Sequence, residues 1–129
     1  MVCIDAAWDP ASNAYRTHSD CARKVEPVAL EEHVRRCERA GAGEIMIQSI
    51  DRDGTMSGYD TRLIAQVMQA TSLPVIGAGG PGNYEHLKDA FLETGVSALA
   101  CGSLFNFSDS NPLRAKAFLS NYGLKFKVV

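Results

Sequence analysis

The chain contains no apolar run near the roughly 18 residues that a membrane-spanning helix needs, so no membrane partner is expected. Its opening, Met1-Val2-Cys3-Ile4-Asp5, has neither a basic stretch nor a long apolar one. That argues against a signal peptide and makes the cytoplasm the expected compartment. Cysteine is sparse: Cys3, Cys21, Cys37 and Cys101 are irregularly spaced and form no Cys-x-x-Cys pair. A disulfide framework or a zinc site would need that spacing. Cys3 and Cys101 fall in apolar stretches and are expected to pack as small hydrophobes, whereas Cys21 lies in polar surroundings and is expected at the surface. Long runs of like charge are also missing. The net charge of −2, with 46% hydrophobic residues, gives no basic face for nucleic acid. Its 129 residues suffice for one domain with a real core, expected to span residues 1–129.

What is present is a repeated alternation. Residues 2–6, 44–48, 74–78 and 98–102 are short, nearly continuous apolar runs of the kind found in covered parallel strands. Helical spacing marks residues 28–40, 60–70 and 84–94, and Pro112 suits the first turn of a last helix carrying Leu113, Ala117 and Phe118. The order β-α-β-α-β-α-β-α implies a parallel sheet with right-handed crossovers. Connections from helix to strand are short, and those from strand to helix are longer and more polar. That asymmetry puts function at the carboxyl ends of the strands. The longest such connection, residues 7–27, carries Trp8, Tyr15, Arg16, His18, Arg23 and Lys24 and is expected to be a functional or mobile loop.

Several residues at those ends carry chemistry. Asp5 ends the first apolar run, where it could act as an acid–base carboxylate or simply anchor a loop. Asp51 and Asp53 follow the second run in Ser49-Ile50-Asp51-Arg52-Asp53-Gly54-Thr55. One of them could bind a substrate hydroxyl, but Asp-x-Asp-Gly is also ordinary turn chemistry. A magnesium site at the pair is the weaker alternative, because no other oxygen ligands are evident beside it. Ile76-Gly77-Ala78-Gly79-Gly80-Pro81-Gly82 follows the third run, and its glycines let backbone N–H groups approach a ligand closely. Gly102-Ser103 follows the fourth. Two such turns on successive strands, each before a helix, point to a phosphate site. The Gly77-x-Gly79-Gly80-x-Gly82 spacing does not follow the first strand and lacks the acidic partner about 20 residues on, so no dinucleotide cofactor is expected. His18 could contact substrate from the long loop, although a solvated position is the simpler reading. His33 and His86 fall in helices and are most simply surface or packing residues.

Taken in order, Gly41-Ala42-Gly43-Glu44, Ser49 through Thr55, Gly58-Tyr59-Asp60, Gly79-Gly80 and Ser103-Leu104-Phe105 resemble the carboxyl-terminal half of the cyclase subunit of imidazole glycerol phosphate synthase. The similarity covers almost the whole chain and thins between Asp9 and Pro27. It implies a (β/α)₈ barrel of histidine biosynthesis, a lyase without a cofactor. That enzyme takes ammonia from a glutaminase partner and closes an imidazole ring on a substrate carrying two phosphates. By matching motif, Asp5 resembles one of the family's two catalytic aspartates. Asp53 and Gly54 match a substrate-contacting turn, and Gly80, Gly102 and Ser103 match one of two phosphate sites, beside Gly79 of the same glycine turn. Ala78 stands where the family typically has serine, and Gln48 where threonine is common. The last helix also resembles paralogues linked to amidination of surface sugars.

A full barrel needs eight strands and about 250 residues. Four units leave two open sheet edges and an apolar interior face. The expected fold is therefore α/β, a (β/α)₄ half of a TIM barrel with four parallel strands each followed by a helix. Such a half would hold one phosphate site and one catalytic aspartate and be inactive without a second half. Its expected partners are phosphate or a phosphorylated small molecule, an amino-terminal half-barrel or a second copy in a homodimer, and a glutaminase subunit. The competing reading is a non-catalytic phosphate-binding module with an open, flavodoxin-like sheet and helices on both faces.

Overall fold

The computed structural model describes residues 1–127. In chain order the elements are β1 (Val2–Asp9), β2 (Ala14–Ser19), β3 (Lys24–Ala29), α1 (Leu30–Arg39), β4 (Ile45–Ser49), α2 (Thr61–Ala70), β5 (Val75–Ala78), α3 (Tyr84–Thr94), β6 (Ala98–Leu99), α4 (Ser103–Asn106) and α5 (Pro112–Ser120). The four apolar runs form the parallel strands β1, β4, β5 and β6, which lie side by side in that order. Because the order never reverses, right-handed crossovers set every connecting helix on one face. Alternation along the strands agrees. Ile4, Ala6, Ile45, Ile47 and Val75 are buried under the helices with Leu30, Val34, Leu63, Val67 and Leu87. Asp5, Met46, Gln48 and Ile76 point the other way and are only half-buried. This is the α/β architecture of half a TIM barrel. A flavodoxin-like sheet needs a reversal of strand order to place helices on both faces, so the open-sheet alternative is set aside.

The region 7–27 is not a loop. β1 runs on to Asp9, and β2 and β3 fold back as an antiparallel meander on its outer edge, giving the six-stranded order β3-β2-β1-β4-β5-β6. The first parallel strand is thus followed by two strands before its helix. Asp9 fixes the first turn by accepting from the Ala11 N–H at 3.1 Å and the Ser12 hydroxyl at 2.6 Å. The second turn is made by Asp20, Cys21 and Ala22, all with positive φ and no glycine among them. The meander covers only part of the β1 edge, pairing from Asp5 to Asp9 and leaving residues 2–4 open on that side.

Local signals set the helix ends. Asp60 caps α2 by accepting the Leu63 N–H at 3.0 Å, and the same carboxylate accepts the Tyr15 hydroxyl from β2 at 2.8 Å. Asn83 caps α3 and Asn111 caps α5, with Pro112 in the first turn of α5. Val28 belongs to β3, so α1 begins two residues later than helical spacing alone predicts. Among the described residues, no helix is long and apolar enough to cross a membrane.

Candidate functional site

The turns after β4, β5 and β6 meet at the carboxyl end of the sheet. They enclose a cleft of about 210 Å³ lined by Asp53, Gly54, Gly79, Gly80, Gly102 and Ser103, together with neighbours that include Gln48 and Cys101. Parallel strand order brings these six residues together, since successive strands deliver successive turns to one rim. The fit is close. A Cβ at Gly80 would lie 2.1 Å from the Gly58 carbonyl oxygen, and one at Gly79 would lie 2.8 Å from that of Ser49. The Gly58 N–H donates to the Gly80 carbonyl at 2.8 Å, locking the turn after β4 to the turn after β5. The N–H groups of Gly80, Gly102 and Ser103 donate to no acceptor among the described residues. A wall of free backbone donors can hold an anion without any cationic side chain.

Below the rim the cleft is braced by Tyr59. Its ring is buried and its hydroxyl donates to the Ala100 carbonyl, a residue of the cleft lining, at 2.8 Å. Cys101 sits 3.4 Å from the same hydroxyl, and burial pushes its thiol up, so it is protonated at neutral pH and not poised as a nucleophile. Cys3, expected to pack as a small hydrophobe, is instead exposed on the face away from the helices. β-strand alternation puts it beside Asp5, and the partial burial of its sulfur together with the Asp5 charge raises that thiol too. Cys21 is exposed as expected.

Asp5 lies midway along β1 rather than at its end, because the strand continues into the hairpin. It is half-buried on the helix-free face, in register with Gln48 of β4 on one side and His18 of β2 on the other. Gln48 lines the cleft, so Asp5 stands one strand away from it on the same face. His18, placed by sequence in a solvated loop, is a strand residue directly across from Asp5. Its Nδ1 lies 3.3 Å from the Ala22 carbonyl.

The two aspartates of the turn after β4 separate in role. Asp51 accepts the Trp8 N–H at 2.7 Å and ties the turn to β1, while Asp53 faces the cleft. A second, broader cleft opens on the helical side, where Arg62 stacks 4.4 Å over the Trp8 ring and Trp8 meets Tyr15 edge-on at 5.0 Å. Sequence reading missed His86. Half-buried at the start of α3, it packs there and also reaches the glycine turn, because its Nδ1 accepts the Gly82 N–H at 3.0 Å. The signal was its position in the first turn of a helix that opens just after the glycine turn. Among the described residues, no group of three or more His, Cys, Asp or Glu is placed to hold a metal ion.

A family model described as "Histidine biosynthesis protein" matches residues 1–111. The imidazole glycerol phosphate synthase subunit HisF of Thermotoga sp. is 39% identical over 128 residues, covering 99% of this chain and 49% of that protein. HisF of Hyphomonas neptunium is 39% identical over 129 residues, covering 100% of this chain and 50% of its own length. HisF of Bacillus licheniformis is 35% identical over 127 residues, or 98% of this chain and 50% of its own. The chain spans about half the length of the curated relatives it matches. It belongs to the histidine biosynthesis protein family, as a half-length relative of the HisF subunit of imidazole glycerol phosphate synthase.

Proposed function

We propose that this half-barrel binds the phosphate of a phosphorylated small molecule and contributes one catalytic aspartate, Asp5, to an ammonia-dependent cyclase completed by a second half. The observation that carries the reading is the convergence of Gly79-Gly80, Gly102-Ser103 and Asp53-Gly54 on one cleft. That cleft has free backbone donors on its wall and Asp5 on the same face one strand away. In this reading the backbone N–H groups and the Ser103 hydroxyl hold the phosphate, Asp53 takes a substrate hydroxyl, and Asp5 moves protons during ring closure. Ala78, buried against the cleft, offers no hydroxyl there, so Ser103 is the main side-chain donor. Ser103→Ala is expected to weaken inorganic phosphate binding by about fivefold, the net worth of one hydrogen bond. Calorimetric titration of the intact chain measures it, and an unchanged affinity would remove Ser103 from the site.

The exposed face and the open edges support the presence of a second half. The helix-free face carries Met46 and Ile76, β6 ends the sheet on one side, and the lower part of β1 is open on the other. An amino-terminal half-barrel or a second copy of this chain would cover both, with a glutaminase subunit supplying ammonia to the completed barrel. Sedimentation at micromolar concentration is expected to show a dimer or larger species when the chain is alone. A well-behaved monomer at every concentration would contradict this.

A further inference from the structure

His86 lies in the first turn of α3, where its ring reaches back to the glycine turn. Its Nδ1 accepts the Gly82 N–H at 3.0 Å, and its own backbone N–H donates to the capping Asn83 side chain at 3.0 Å. A Cβ at Gly58 would meet Cδ2 and Cγ of the ring at 3.5 and 3.7 Å, so the imidazole lies against the Gly58 backbone. Gly58 is also the residue whose N–H holds the Gly80 carbonyl. One side chain therefore touches both turns that form the cleft, the one after β4 through Gly58 and the one after β5 through Gly82. It does this from behind, without lining the cleft itself.

The geometry points to His86 as a positioning residue that sets anion affinity through its protonation state, an inference that rests on the phosphate reading above. A neutral imidazole with a bare Nδ1 accepts the Gly82 N–H and fixes residues 79–82 against Gly58. An imidazolium has a donor at both nitrogens. It would set a second N–H against that of Gly82 and release the turn. The ring borders a small notch with Asp89 and Glu93 of its own helix and with Ser57, Tyr59 and Thr61 from the turn after β4 and the start of α2. The Tyr59 hydroxyl is engaged with the Ala100 carbonyl, Asp89 pairs with Lys88 at 3.3 Å, and the Arg52 guanidinium meets Ser57 at 3.4 Å. The turn at residues 79–83 brings no titratable side chain of its own.

The test uses the intact chain and inorganic sulfate, which stays a dianion across the range of about pH 5–8 in which imidazole changes charge. Sulfate affinity is expected to fall by about fivefold from the top to the bottom of that range, the worth of one hydrogen bond. The fall should follow the His86 ring resonances and the Gly82 amide shift in NMR spectra recorded without anion. His86→Asn places an amide oxygen near the Nδ1 position, so it should keep binding and lose the pH step. His86→Leu should bind weakly at every pH. A pH-independent affinity in the parent, or an Asn variant with the parent's pH step, would overturn the inference. Two further outcomes separate it from the phosphate reading. No sulfate binding at any pH, with the Gly82 amide still following the ring, would sink the phosphate site and keep His86 as the anchor of the turn. Sulfate binding with a Gly82 amide indifferent to the ring would sink the anchor.

Discussion

Gly80→Val is expected to abolish phosphate binding by this chain. Gly80 has φ +115°, a region that β-branched residues avoid. Its added Cβ would lie 2.1 Å from the Gly58 oxygen, 2.9 Å from the Gly58 carbonyl carbon and 3.0 Å from the Arg52 Cβ. The nearest two of these atoms are backbone, so no rotamer change relieves the clash. The turns after β4 and β5 must move apart, which breaks the 2.8 Å bond from the Gly58 N–H to the Gly80 carbonyl. Loss of binding should therefore come with a lower midpoint in urea. Gly102→Ala is the matched control for stability alone. Gly102 has φ −111°, and its Cβ would meet nothing within 4 Å. It should change stability by less than about 0.5 kcal/mol, as surface substitutions usually do. A Gly80→Val chain that binds phosphate normally would show that the cleft is not the site.

Asp5→Asn is expected to have the largest effect on catalysis, and only in the completed barrel. When this chain is combined with an amino-terminal half-barrel and supplied with ammonia, the substitution should lower ring-closing turnover by about 10²–10⁴-fold, the usual worth of acid–base assistance. Phosphate affinity should be unchanged, because Asp5 lies outside the cleft lining and one strand away. The substitution is nearly isosteric and Asp5 is half-buried, with a long 4.0 Å contact from the Cys3 thiol as its side-chain partner. A folding defect is therefore not expected. The isolated chain should turn over negligibly with or without Asp5. An Asp5→Asn half that supports full turnover would place the chemistry elsewhere.

The parallel strands were legible because each is a compact apolar run closed by a glycine turn or a cap. The monotonic order was legible only through the family resemblance, because alternation with helices fits an open sheet of reversing order as well. The convergence of the glycine turns was legible too, since neighbouring parallel strands deliver their turns to one rim. The hairpin was not. In β2, Tyr15 and Thr17 are buried while Ala14, Arg16 and His18 face the other side. The strand therefore alternates too politely with polar residues to register as an apolar run. Its turns use Asn13, Asp20, Cys21 and Ala22 at positive φ in place of the glycines that usually mark them. That error shortened β1 and set Asp5 at a strand end. His86 was illegible for another reason. Its partner is a backbone N–H, and only the fold reveals which one.

The central claim, that the cleft at the carboxyl end of this half-barrel is a phosphate site, is tested most directly by titrating inorganic phosphate into the isotopically labelled intact chain and following its amide resonances. The account predicts saturable shifts at Gly54, Gly79, Gly80, Gly102 and Ser103, whose N–H groups have no acceptor among the described residues. Shifts confined to other parts of the surface, or none at all in a chain whose spectrum shows it folded, would contradict it.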